Sequence, residues 1–482
     1  MKKYIFIQLI AIMFISCDDF LDLAPDNQIN TSGFYKNLND FEVALVGAYS
    51  TLQGFHNVSL NYLGDMATDN AEIQLPNPTS NELEFDEIGF TSSNTYISSY
   101  WSTCYSLISR CNTILTRIEK AEVDESAKKL IQGECYFLRA YAYFYLVRMF
   151  GDVTIVTGEF TSPNQVSAYD MSRKPVPDVY NFILEDLSLA EANLPATIPA
   201  NKGKVSIGAV KMLLAKVYLT LKEYAKAGTE LEKIMALKKE NGSPAYAIVS
   251  DYEKLFSTGN DDTEESIFEI EYASGNIGEG NGFTYQFYPL LQGMAVFKDN
   301  LMAGGRCVPT ASMMNAYEEG DKRKDATVGD QIPMVDGSVT TSRFCKKFVD
   351  YNATILSDGG INFTAYRYAD VYLMYAEVLN ELDKPDADKY LNEIRSRAGL
   401  EGKTRTSKDD FRLILEQERR VEFAFECQRW FDLGRTGRLK DVMNAHFISK
   451  NLNFSVADHE WILPVPQAQR DIDPDLTQNP GY

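Results

Sequence analysis

The sequence predicts a mainly α-helical protein, in which tetratricopeptide-like helix pairs form a scaffold carrying long, loop-rich, partly β insertions. Three observations lead there. Apolar residues recur at helical spacing in stretches that come two by two, separated by short turns. Within such pairs small alanines alternate with large apolar residues, the pattern of a helical hairpin whose repeat is about 34 residues long. Between the pairs lie two long segments dense in turn-forming and acidic residues.

In chain order, residues 36–53 and 97–120 read as a first pair, split by residues 54–96, which are rich in Asn, Ser, Pro and acidic side chains. Ser126 to Phe150 follows. Its second half, Cys135 to Phe150 (CYFLRAYAYFYLVRMF), is charged only at Arg139 and Arg148, so neighbours must cover it on nearly all sides. Gly151 ends it. Val179 to Leu194 returns as an amphipathic helix with Phe182, Ile183, Leu187, Ala190 and Leu194 on its apolar face, stopped by Pro195. Ser206 to Leu221 and Tyr224 to Lys238 make the next pair, with Leu214, Ala215, Tyr218, Leu219, Tyr224, Ala227 and Leu231 in the small-large pattern. The last pair is Tyr366 to Leu382 and Asp386 to Arg397, joined by a turn at Asp383 to Pro385. Before it, residues 240–365 hold Gly, Asn and Asp clusters around strand-like runs such as Ser266 to Tyr272. The scaffold therefore covers about 31–240 and 366–450. The insertions, 54–96 and 240–365, are expected to interrupt the stack that an unbroken solenoid would build, and to carry the function.

Composition narrows the function. Of the 482 residues, 45% are hydrophobic and 24% charged, an ordinary balance for a packed chain. Acidic residues number 68 against 47 basic ones, a net charge of −21 that repels nucleic acid. The three histidines, His56, His446 and His459, form no HxxxH or HExxH arrangement. Ser126 and Lys129 satisfy S-x-x-K but open an ordinary charged helix, and no GxSxG elbow is present. Gly275 to Gly282 (GNIGEGNG) lacks the helix that a phosphate loop needs. Asp471, Asp473 and Asp475 alternate like the start of a calcium loop without its glycine or closing Glu. No catalytic residue, metal or cofactor is expected.

The N-terminus predicts export. Lys2 and Lys3 precede Tyr4 to Ile15, and twelve helical residues span about 18 Å, short of the ~30 Å hydrocarbon core. Ser16 and Cys17 then resemble a bacterial lipoprotein cleavage site. Residues 1–16 are expected to be removed and Cys17 to carry lipid, the one membrane attachment of residues 17–482. The other cysteines, Cys104, Cys111, Cys135, Cys307, Cys345 and Cys427, contain no CxxC pair and read as buried thiols. Cys104 and Cys111, seven apart on one helix, stand about 10 Å apart, beyond disulfide reach.

The candidate ligand residues lie in the insertions. If the segment after Gly282 is extended, Phe283, Tyr285 and Phe287 share one face. With Tyr288 they would make an aromatic platform for the apolar faces of sugar rings. Asp65, Asp69 and Asn70 in the first insertion are the polar candidates for hydroxyl contacts.

Several stretches then resemble the SusD/RagB family of outer-membrane nutrient-binding lipoproteins, found beside carbohydrate-uptake genes in Gram-negative glycan foragers. They are CDDFLDLAPDNQI from Cys17, WSTCYSLISRCNTIL from Trp101, GECYFLRAYAYFYLVRMFG from Gly133 and YRYADVYLMYAEVLNE from Tyr366. LNEIRSRAGL from Leu391, QERRVEFAFECQRWFDLGR from Gln417 and the closing ILPVPQAQRDIDPDLTQNPGY continue the series. Cys427 stands where the family usually has glycine. The resemblance implies a helical fold with tetratricopeptide-like pairs and non-catalytic capture of glycan or another nutrient at the cell surface. It also implies a TonB-dependent transporter of the SusC type as partner, with the binder as a hinged lid tethered to the outer membrane by lipid on Cys17. The matching motifs are scaffold motifs, so they transfer no ligand contacts, and Trp101 reads as core. Independently of any family, Glu418, Arg419, Arg420, Glu422, Glu426 and Arg429 alternate in sign on what reads as one helix, with Phe423, Phe425, Trp430 and Phe431 on its apolar side. The alternatives to glycan binding are a protein-interaction scaffold and a glycoside hydrolase.

Overall fold

Local capping chemistry sets the helices. Asn37 opens α1 (Leu38–His56) through a capping box with Asp40. Asn94 opens α2 (Thr95–Ile118), its side-chain oxygen accepting from the amides of Tyr96 and Ile97. Asp124 caps α3 (Glu125–Phe150), which ends on Gly151 at φ +70°. The next helix, α4 (Val176–Asn193), starts three residues before its apolar periodicity, because Pro177 is at home in a first helical turn. Ser206 caps α5 (Ile207–Thr220), and one short turn leads into α6 (Tyr224–Ala236). The computed structural model describes residues 34–74, 76–199, 201–297 and 301–482. The expected signal segment and Cys17 lie outside them.

Four pairs pack as the periodicity predicts: α1 on α2, α3 on α4, α5 on α6, and α8 (Tyr368–Glu381) on α9 (Ala387–Arg397). The second half of α3 is almost wholly buried, from Cys135 to Phe150, as its lack of charge demands. Trp101 is core, against Phe150. One expectation fails. The insertions interrupt the pairs in sequence but leave the stack whole in space, since α2 packs on α3, α4 on α5, and α6 on α8. Gly228 brings α6 and α8 together, because a Cβ there would sit 3.0 Å from Val378. Asp370 on α8 pairs with Lys216 on α5 and with Arg419 at 2.7 Å.

Strand pairing explains how the stack survives. The second insertion leaves and returns through an antiparallel pair, β2 (Ser266–Ile270) with β6 (Phe363–Arg367), Ile270 opposite Phe363. Residues 271–362 thus emerge from a neck. Their expected helix start at Tyr366 moves to Tyr368, because Tyr366 and Arg367 belong to β6. A second pairing, β1 (Ala71–Glu72) with β3 (Val308–Pro309), ties the two insertions to each other, and β4 (Val328–Pro333) with β5 (Val339–Cys345) forms a hairpin within the second.

The segment read as a single C-terminal helix is two: α10 (Lys408–Glu422) and α11 (Arg429–Thr436). Between them Phe425 and Cys427 adopt left-handed φ of +63° and +57°. Around this break lies a buried ionic cluster. Arg367 donates to Glu265, Glu422 and Glu426, and Arg323 to Asp321, Glu418 and Glu422, all among buried side chains. Burial acts to raise the Glu422 carboxyl, but Arg397, Arg367 and Arg323 outweigh it and hold Glu422 well below the usual carboxylate range. The cluster joins both sides of the neck to the break after α10.

Candidate functional site

The segment after Gly282 is one helical turn, α7 (Phe283–Phe287), not a strand. Phe283 and Phe287 are i and i+4, so their rings stack with centroids 5.9 Å apart and interplanar angle 15°, facing inward. Phe287 also meets Phe425 edge-on. Tyr288 is buried too, sharing a 3.0 Å hydroxyl contact with Tyr351 and packing on Phe344. Of the expected platform only Tyr285 reaches the surface, because the turn sends it away from its two phenylalanine neighbours.

Asp65, Asp69 and Asn70 also turn inward. The Asp65 carboxylate accepts from the backbone amides of Phe425 and Cys427 at 3.0 and 2.9 Å. Asp69 accepts from Arg429 at 2.9 Å and pairs with Arg420. Asn70 accepts from Arg420 at 3.0 Å through its side-chain oxygen. These three residues, read as a polar loop face, bind the first insertion to the break between α10 and α11.

The partly exposed arrangement that remains is built on Tyr285, Arg306 and Glu82. Glu82 lies on a short helix, Ser80–Asp86, and caps its start: one carboxylate oxygen accepts from the amide and hydroxyl of Thr79 at 2.8 and 2.9 Å. Its other oxygen accepts from Nε of Arg306 at 2.7 Å. The Nη1 of Arg306 donates to the Tyr285 hydroxyl at 3.0 Å, and its guanidinium lies 5.2 Å from that ring's centroid. Gly304 allows this approach, since a Cβ there would stand 2.5 Å from the Tyr285 ring. The β1–β3 pairing holds Arg306, two residues before β3, beside the first insertion. A second ring, Tyr351, is 41% exposed and backed by Tyr288 and Phe297. Sequence periodicity did not reach Arg306, Glu82 or Tyr351, which lie outside any aromatic run.

Two larger grooves lie on the scaffold. One of about 560 Å³ runs between α1, α3 and β2, and three of its carboxylates are engaged: Glu134 by Tyr49, Glu271 by Asn201, Glu279 by Gln53. The other, about 370 Å³, is lined by arginines already paired with Glu377, Glu381, Glu416 and Asp432. The second groove also holds Tyr224, but among paired arginines; the insertion seam, where Tyr285 stands against Arg306, is the better candidate for a sugar.

Comparison with known proteins gives the lineage. The profile described as SusD family matches residues 328–482, and the one described as starch-binding associating with outer membrane matches residues 19–219. The chain belongs to the SusD/RagB family. It is 25% identical to SusD-like protein P2 of Formosa agariphila across the whole of both chains. A SusD-like protein of Bacteroides ovatus is 28% identical over 90% of this chain and 82% of its own length. Among solved structures, a laminarin-binding SusD-like protein superposes with a TM-score of 0.79 at 26% identity, covering 93% of this chain and all of its own. Cys427 has a left-handed φ of +57°, a conformation that favours glycine, the residue the family resemblance led us to expect there.

Proposed function

We propose that the protein captures an oligosaccharide at the cell surface without chemical change and delivers it to a SusC-like TonB-dependent transporter in the outer membrane, tethered by lipid on Cys17. The observation that carries this reading is Tyr285, a ring held at the seam of both insertions by Arg306 and presented outward while its phenylalanine neighbours face the core. A tyrosine so placed offers an apolar face for a sugar ring, and Arg306 beside it, oriented by the buried Glu82, supplies a donor. Family membership and the laminarin-binding relative support a glycan as cargo. No bond chemistry enters, so the protein acts as a binder rather than an enzyme.

Calorimetry against a panel of glycans, with reducing ends assayed in the same tubes, tests the reading. Saturable binding with no released ends is expected, weakened in Tyr285→Ala. Hydrolysis of the bound glycan, or no binding across the panel, overturns it. Co-purification of a barrel transporter from solubilised outer membranes, and acylation of the mature N-terminus by mass spectrometry, test the partner and the tether.

A further inference from the structure

We infer that Arg306 makes this site select sugars bearing an anionic oxyacid group, a carboxylate or a sulfate, over neutral ones. The inference rests on the Tyr285 site proposed above and names its ligand class. Each guanidinium nitrogen has a distinct fate. Nε is taken by Glu82 at 2.7 Å and Nη1 by the Tyr285 hydroxyl at 3.0 Å, which fix the plane of the group. Among the described residues no acceptor meets Nη2, and the side chain keeps 27% exposure. Nη1 and Nη2 together form the outer edge of a guanidinium, the edge that grips a carboxylate or sulfate through two parallel hydrogen bonds. Here that edge is half used and its orientation already set, so little side-chain freedom is lost when an anion arrives.

The resident partner does not cancel the site. Glu82 touches Arg306 through a single oxygen, and its other oxygen is committed to the cap at Thr79. The protein's charge of −21 opposes an anion only over distances that salt screens, with a Debye length of about 8 Å at physiological ionic strength. The Arg306 contact acts at hydrogen-bond range. Beside it, the Tyr285 ring stacks on the sugar that carries the anionic group, so charge and apolar face are read by adjacent side chains.

The test is calorimetric titration of the full chain with three hexasaccharides: a neutral β-glucan, an oligomer of glucuronic acid and a sulfated galactan. At least one acidic oligomer should bind about tenfold tighter than the neutral one. The ranking of the two acids tells carboxylate from sulfate. Arg306→Met should remove the preference, weakening the acidic oligomers more than the neutral one, and Arg306→Lys should keep charge but lose most of the preference. Glu82→Gln, which removes the competing anion and retains a capping oxygen, should tighten the acidic oligomers alone. Equal or tighter binding of the neutral oligomer, or a preference that survives Arg306→Met, overturns the inference. If neutral binding is lost in Tyr285→Ala while no acidic preference exists, only the Arg306 inference fails; if nothing on the wider panel binds, the site itself falls with it.

Discussion

The carboxylate of Asp65 accepts a hydrogen bond from the backbone amide of Cys427 at 2.9 Å, joining positions 362 apart in the chain. The same carboxylate takes the amide of Phe425, so one buried side chain secures both left-handed residues of the break between α10 and α11. This carboxyl stabilises the turn by accepting donors that no helix could satisfy.

Asp65 and His56 should give opposite pH signatures. Burial pushes the Asp65 carboxyl up to about 6 from an ordinary 3.8, so between those values the folded state holds more protons than the unfolded one. Asp65 therefore contributes less stability as pH rises through that window. Burial lowers the His56 imidazole to about 3 from 6.5, and here the unfolded state holds more protons, so its contribution is lost as pH falls. Urea unfolding from pH 4 to 6.5 should show the stability gap between wild type and Asp65→Asn narrowing at higher pH. The gap to His56→Gln should widen.

Gly64→Ala should be among the most damaging small substitutions. A Cβ at Gly64 would stand 2.4 Å from the Cα of Cys427, a backbone atom that cannot rotate aside. We expect a loss of about 3 kcal/mol, at the upper end for overpacking, read from the denaturation midpoint. Gly54→Ala, with nothing within 4 Å, is the control and should change little.

Arg367→Met leaves Glu265, Glu422 and Glu426 buried with a main counter-charge gone. Breaking a buried ion pair on one side costs about 3–5 kcal/mol. Because Arg367 sits at the neck of the second insertion, hydrogen exchange in β2 and β6 should rise together in this variant. Unchanged exchange at the neck would detach the cluster from that role.

Tyr285→Ala and Phe287→Ala, two residues apart, should separate binding from folding. Phe287 is fully buried between Phe283 and Phe425, and its truncation should cost about 3–5 kcal/mol. Tyr285→Ala should leave the melting temperature within a few degrees and weaken glycan binding about tenfold. A matching loss of stability in both would return Tyr285 to the core.

The helices were legible because their cause is local. Apolar spacing and caps such as Asn94 and Asp124 fix α2 and α3 within a residue or two of their expected ends. Positions 283, 285 and 287 were ambiguous in principle, since 283 and 287 satisfy both a period of two and an i, i+4 helical pair. The turn won because it buries two phenylalanines at once. Asp65, Asp69 and Asn70 looked like a solvated loop since their partners, Cys427, Arg429 and Arg420, lie some 350 residues on. The break at Phe425 and Cys427 left no mark in the sequence either, because neither residue is one that left-handed backbone favours.

The neck formed by β2 and β6 has a consequence for how such a protein can change. Residues 271–362 enter and leave through adjacent strands, so whatever hangs from that clasp can grow, shrink or be exchanged while α6 and α8 keep their places. Tyr285, Arg306 and Tyr351 all hang from it. The loops around Tyr285 and Tyr351 can be refitted with the helix pairs left as they are, so long as Arg323 keeps its hold on Glu418 and Glu422 and Phe287 on Phe425.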